Sequence, residues 1–193
     1  MRDRLTQHHL AMAVNLKQGE FFIGQNHGVV TTILGSCVAL TIYHAPTRTG
    51  MMCHGMLPTC RAEHLVEQDH CRGWDANCFR YVDCVVAHML TECADRGLPY
   101  RELQLKLFGG SDMLIHGRSF HKSRFSVGKA NVESALKILS TVELQPMRVD
   151  TGGHRGRKIV FFLESGEVWR QWLLSKREVC LLGDPFAPKP SSV

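Results

Sequence analysis

Apolar residues along the chain fall into short blocks punctuated by Gly, Pro and polar positions. Val29–Pro58 carries three of them, VVTTIL, CVALTIY and MMCHGML. Gly35-Ser36 joins the first two, and a break containing Pro46 and Gly50 precedes the third. Enrichment in Val, Ile, Thr and Tyr between turn residues predicts strands. Upstream, Phe21-Phe22-Ile23 opens the apolar material and Gly24 to Gly28 reads as a turn, while Met1–Glu20 reads as a short arm or a loosely packed helix. Downstream, Val82, Val85, Val86, Met89, Leu90 and Cys93 repeat at helical spacing and place one apolar face on a core. Asp75 or Asn77 is a candidate cap for that helix, and Gly97 is placed to end it as the residue after the C-cap.

Leu103, Leu105 and Leu107 alternate with Gln104, Lys106 and Phe108, a strand stopped by Gly109-Gly110. Ser111 to Gly128 is loop-like and basic, and Val132, Ala135, Leu136 and Leu139 mark a second amphipathic helix. A strand near Met147–Val149 leads into VDTGGHRGRK, a tight connection with Arg155 and Arg157 expected at the surface. KIVFFL, a Glu164-Ser165-Gly166 turn and EVWRQWL make a terminal hairpin. Strands in consecutive runs with two helices between them predict an α+β class: a layered, mixed or antiparallel sheet structure with helices packed on the outside.

Composition narrows the setting. A chain of 193 residues suits one domain with a real core. The division expected is an arm over 1–20, a folded domain over 21–182 and a flexible Pro-rich tail over 183–193. The net charge of +5 is spread along the sequence, without the basic stripe that nucleic acid requires. No apolar run reaches membrane-spanning length, and Met1–Glu20 lacks a signal-peptide core, so a cytoplasmic protein without membrane insertion is expected. In that compartment the eight cysteines read as reduced thiols. Cys60, His64, His70, Cys71 and Cys78 crowd one polar stretch, yet their spacings lack the short cysteine pairs of structural zinc. No metal and no cofactor are expected.

The chemistry concentrates at Cys37, directly after the Gly-Ser turn, and at His54. If the chain folds back at His44-Ala45-Pro46-Thr47, Cys37 faces His54 across an antiparallel pair, with Cβ atoms about 4.5–5.5 Å apart. A thiol beside an imidazole can exist as thiolate–imidazolium and attack a carbonyl carbon. The turn's main-chain N–H groups are placed to stabilise an oxyanion. Thr31 is placed to accept from the other imidazole nitrogen and hold the tautomer. Taken singly, a strand-start cysteine is ordinarily a small buried hydrophobe and a lone histidine a hydrogen-bonded structural residue.

A run of motifs in one order raises the catalytic reading. LGSCVALTIYH with GMMCHGMLP, then FRYVDCVVAHML, KLFGGSDML, SVGKANVESALKIL and VDTGGHRGRKIVFFLESGEVW, resembles the CheD family of chemoreceptor glutamine deamidases over roughly Phe22 to Trp172. The resemblance implies a fold shared with toxin-type glutamine deamidases and hydrolysis of glutamine side chains on chemoreceptor signalling helices. It implies Cys37 as nucleophile, His54 as acid–base and Thr31, six residues before the cysteine, as the orienting group. A CheC-type phosphatase is a second implied partner. Two alternatives stand beside it: a receptor- or CheC-binding regulatory module that makes no use of its thiol, and a domain stabilised by metal at Cys60–Cys78. Peptide cleavage and transamidation draw on the same thiol chemistry.

Overall fold

A computed structural model describes residues 13–60, 78–112 and 126–173. Among these residues, nine strands and two α-helices follow in the order β1 (Ala13–Asn15), β2 (Phe21–Gln25), β3 (Val29–Leu34), β4 (Val38–His44), β5 (Thr49–Cys53), α1 (Val82–Asp95), β6 (Leu103–Gly109), α2 (Val127–Ser140), β7 (Arg148–Thr151), β8 (Arg157–Phe162) and β9 (Val168–Trp172). They build two mixed sheets, ordered β1-β3-β8-β9 and β2-β5-β4-β6-β7. The β1–β3 and β6–β7 pairs are parallel; every other pair is antiparallel.

Alternation along β4 produces three layers. Val38, Leu40 and Ile42 turn toward α1 and α2 in one apolar cluster. Ala39 and Tyr43 turn the other way, into a second cluster with Val30, Leu34, Ile159 and Phe161 of the four-stranded sheet. β4 is therefore buried on both faces, which accounts for its near-continuous apolar sequence. Both helices pack on one outer side, as the α+β reading expects.

The α1 stripe is buried at all six positions named from its periodicity. Its end is a full Schellman motif: Leu98 N–H donates to Cys93 O, and Gly97, at φ +63°, donates to Ala94 O. Tyr81 occupies the N-cap, in place of the Asp75 or Asn77 expected there. Ser126 caps α2 through Lys129 N–H, so that helix begins inside the stretch read as loop.

Further expectations need correction. Gly24 lies within β2, and the turn is confined to Asn26–Gly28, where Asn26 has φ +66°. Ala13–Asn15, read as part of an arm or helix, is a strand paired in parallel with β3, and Leu16 beside it is buried. Arg157 is fully buried instead of exposed. Its guanidinium bonds Asp150 Oδ1 at 2.6 Å and Ser111 Oγ at 2.9 Å, and lies 4.8 Å from the Trp172 ring centroid, so the charge is paired inside the protein. The 183–193 tail and His64, His70 and Cys71 lie outside the described residues.

Candidate active site

Cys37 and His54 lie on one face of the five-stranded sheet, toward the seam between the two sheets, in a register that differs from the expected one. The β4–β5 loop is Ala45–Arg48, with Arg48 at φ +49° and His44 paired to Thr49. This shifts the pairing by two residues. Val38 then bridges Gly55, through N–H to carbonyl bonds of 3.0 and 2.9 Å in the two directions. Cys37 and His54 flank that bridge diagonally on the face turned to the four-stranded sheet. Diagonal neighbours sit about 7–8 Å apart rather than directly opposed. Cys53 alternates to the helix-facing cluster, where burial pushes its thiol up to about 12.

Three consecutive carbonyls anchor the Gly35–Cys37 segment. Gly35 O accepts from Ser111 N–H, Ser36 O from Asn131 Nδ2 and Cys37 O from Gly110 N–H, at 2.8, 2.9 and 2.8 Å. The Gly109-Gly110 pair permits this approach. Gly109 has φ +107°, and a Cβ there would stand 2.1 Å from Cys37 O. The other Asn131 proton goes to Met56 O at 3.0 Å, so one buried side chain on α2 ties the segment before Cys37 to the segment after His54.

His54 Nδ1 lies 2.7 Å from Thr32 Oγ1. Thr32 Oγ1 also donates to Leu16 O at 2.8 Å. A carbonyl can only accept, so the single hydroxyl proton goes to Leu16 and the hydroxyl oxygen accepts from Nδ1–H. In the neutral ring Nε2 then carries the lone pair, and among the described residues it has no hydrogen-bond partner. Thr31, expected in the orienting place, is on the other face of β3, 3.4 Å from Asn15 Oδ1. Alternation explains the correction: Val30, Thr32 and Leu34 are buried, while Ile33 is exposed.

Burial favours the neutral form of both groups. It lowers His54 below the ordinary histidine value, opposed by the Leu16 carbonyl and by Glu20. It raises the Cys37 thiol, opposed by the residue's own main-chain N–H. Both directions favour thiol and neutral imidazole over the thiolate–imidazolium pair that the sequence allows. An open cleft of about 470 Å³ reaches His54, lined in part by Lys17, Gln18 and Thr32. Gln18 Nε2 lies 3.8 Å from Cys37 Sγ.

Sequence reasoning passed over three residues here. Thr32 was hidden because every member of VVTTIL favours a strand, leaving its phase open. Asn131 had a signal, since it sits four residues before Ala135 and eight before Leu139 on what proves to be the buried stripe of α2. Gln18 lay in a segment without pattern.

A family model described as CheD chemotactic sensory transduction matches residues 56–171, a stretch that starts just after His54. Similar curated proteins extend further. One of Geobacter sulfurreducens, named "Probable chemoreceptor glutamine deamidase CheD 2", is 41% identical over 155 residues, covering 80% of this chain and 86% of the relative. One of Maridesulfovibrio salexigens, named "Probable chemoreceptor glutamine deamidase CheD", is 36% identical over 156 residues, 81% and 89% of the two chains. A protein of the same name from Pyrococcus abyssi is 31% identical over 151 residues, 78% and 85%.

Proposed function

This chain belongs to the CheD family, and from that premise we propose that it hydrolyses glutamine side chains of chemoreceptors to glutamate and ammonia through Cys37, His54 and Thr32. The observation carrying the site assignment is the Leu16–Thr32–His54 relay, which leaves the Nε2 lone pair unpartnered on the sheet face that also carries Cys37.

The steps follow from the neutral resting pair. His54 Nε2 takes the thiol proton as Sγ bonds to the amide carbon of the substrate and the carbonyl pair moves onto oxygen. Collapse of this adduct breaks the C–N bond, and Nε2–H protonates the departing nitrogen, releasing ammonia. Water, deprotonated by the same nitrogen, then adds to the thioester; the C–S bond breaks and the thiol is regenerated. Throughout, Thr32 accepts from Nδ1–H and supports the imidazolium as it forms.

Receptor glutamines as substrates follow the relatives' names, and conversion to glutamate suits adaptation of a chemotaxis response. We place the protein in the cytoplasm beside the receptor signalling helices; among the described residues no helix is long and apolar enough to cross a membrane. A CheC-type phosphatase is proposed as a second partner on family resemblance alone, to be tested by co-purification.

Intact-mass spectrometry of a receptor cytoplasmic fragment tests the reaction. Deamidation leaves the chain whole and adds the small difference between acid and amide at each site. Splitting of the fragment indicates peptide cleavage, and uptake of an added amine indicates transamidation; either as the main product contradicts the proposal.

A further inference from the structure

Lys17–Glu20 forms a tight turn in which Gln18 and Gly19 are the central residues. Glu20 N–H closes it onto Lys17 O at 3.2 Å, and Gly19, at φ +76°, supplies the left-handed position. The turn is pinned to the site, because Gly19 N–H donates to His54 O at 2.8 Å and His54 N–H to Glu20 O at 3.0 Å. Gln18 is therefore carried on the same hydrogen-bonded frame as His54, and its carboxamide reaches over the cysteine, with Nε2 3.8 Å from Sγ. Nothing in the acid–base steps uses it. Its exposed side chain contributes little to the core.

We propose that Gln18 is a catalytic residue whose Nε2–H, together with the Cys37 main-chain N–H, donates to the oxyanion formed when the thiol adds to the substrate amide. The inference rests on the deamidase reading above. The oxyanion sits two bonds from Sγ, on the carbon the sulfur has attacked. A donor already beside the sulfur reaches the required distance of about 2.7–3.1 Å from that oxygen with only side-chain rotation. The second donor is the main-chain N–H of Cys37 itself, adjacent to the sulfur in the chain, which favours negative charge there. The anchoring of the Gly35, Ser36 and Cys37 carbonyls holds this main-chain donor still before the substrate arrives. Substrate seated in the cleft covers Gln18 and removes water from the donor when charge develops, the condition under which such a bond contributes most.

Steady-state deamidation of the receptor fragment by wild type, Gln18→Ala and Gln18→Glu tests this, alongside iodoacetamide labelling of Cys37 in the absence of substrate. Gln18→Ala is expected to lower kcat by about 10²-fold while KM changes little. Gln18→Glu should be worse, because its carboxylate repels the oxyanion. Labelling should be unchanged in Gln18→Ala, since alkylation forms no oxyanion, and the unfolding midpoint should match wild type. Undiminished kcat would overturn the proposal. So would faster labelling with a lower KM, which would make Gln18 a mere cover on the thiol, or a rate loss tracking a lower midpoint. Cys37→Ala separates this from the underlying reading: an inactive Cys37→Ala beside fully active Gln18 variants sinks only the oxyanion role, whereas an active Cys37→Ala sinks both.

Discussion

Thr32 has one proton and gives it to a carbonyl, which settles the histidine tautomer without any charged partner. Valine at this position keeps the shape and removes both bonds. The ring is then free to turn, so Thr32→Val is expected to lower kcat by about 10- to 10²-fold, less than the ~10²–10⁴ of losing acid–base help altogether. Thr31→Val, on the opposite face of β3, should stay near wild type. Parallel kcat measurements check the pair, and a reversed order would restore Thr31 as the orienting group. At this scale the sequence was legible in residue type but not in phase. A cysteine after Gly-Ser and a histidine in the following apolar block were visible. Which of two adjacent threonines faces inward was not, because VVTTIL contains no polar marker for the solvent side and Ile33 is exposed against its type.

Among the elements, α2 acts as a clamp. The first turns of its buried side are small and polar, with Gly128 packed on the Gly110 main chain and Asn131 donating to two carbonyls. Asn131→Leu keeps the branched heavy-atom shape but leaves Ser36 O and Met56 O without donors, at a cost of about 1–3 kcal/mol. The expected result is a lower urea midpoint with an unchanged m-value, and a kcat loss that remains at temperatures where the variant is fully folded. Full activity in the folded variant would mean that the carbonyl ties are structural only. α1 was readable residue by residue, since six apolar positions and a terminal glycine agree. α2 was readable in existence but rotated: Leu136 of the expected face is 37% exposed, while Asn131 is fully buried. Apolar periodicity has no means of registering a polar residue whose partners are carbonyls distant in sequence.

For the whole molecule, the layered arrangement places the candidate site in the layer between the two sheets, so both sheets must be present for the site to exist. Thr32 comes from one sheet, while Cys37 and His54 follow the pairing of the other. Arg157 reinforces the same junction, joining β8 to Asp150 of β7 and to Ser111, which bonds the Gly35 carbonyl. Its role was invisible in the sequence because a charged residue in a Gly-rich segment ordinarily faces water. Burial also makes the fold responsive to pH. His54 and His88 are both held below the ordinary value of 6.5, largely by desolvation. The unfolded chain therefore binds protons in a range where the folded protein does not. Their contribution to stability is full above about pH 6.5 and is lost as pH falls through the depressed folded values. Thermal midpoints should hold steady from pH 8 to 7 and decline below 6.5, with a weaker decline in a His54→Gln variant. A midpoint that rises on acidification would refute the neutral state of these rings.

The most direct test of the central claim is the mass of a receptor cytoplasmic fragment after incubation with Cys37→Ala, beside wild type, at matched circular dichroism. The account predicts acid-for-amide conversion by wild type and an unchanged fragment with the variant. A correctly folded Cys37→Ala protein that still converts glutamine to glutamate would contradict it.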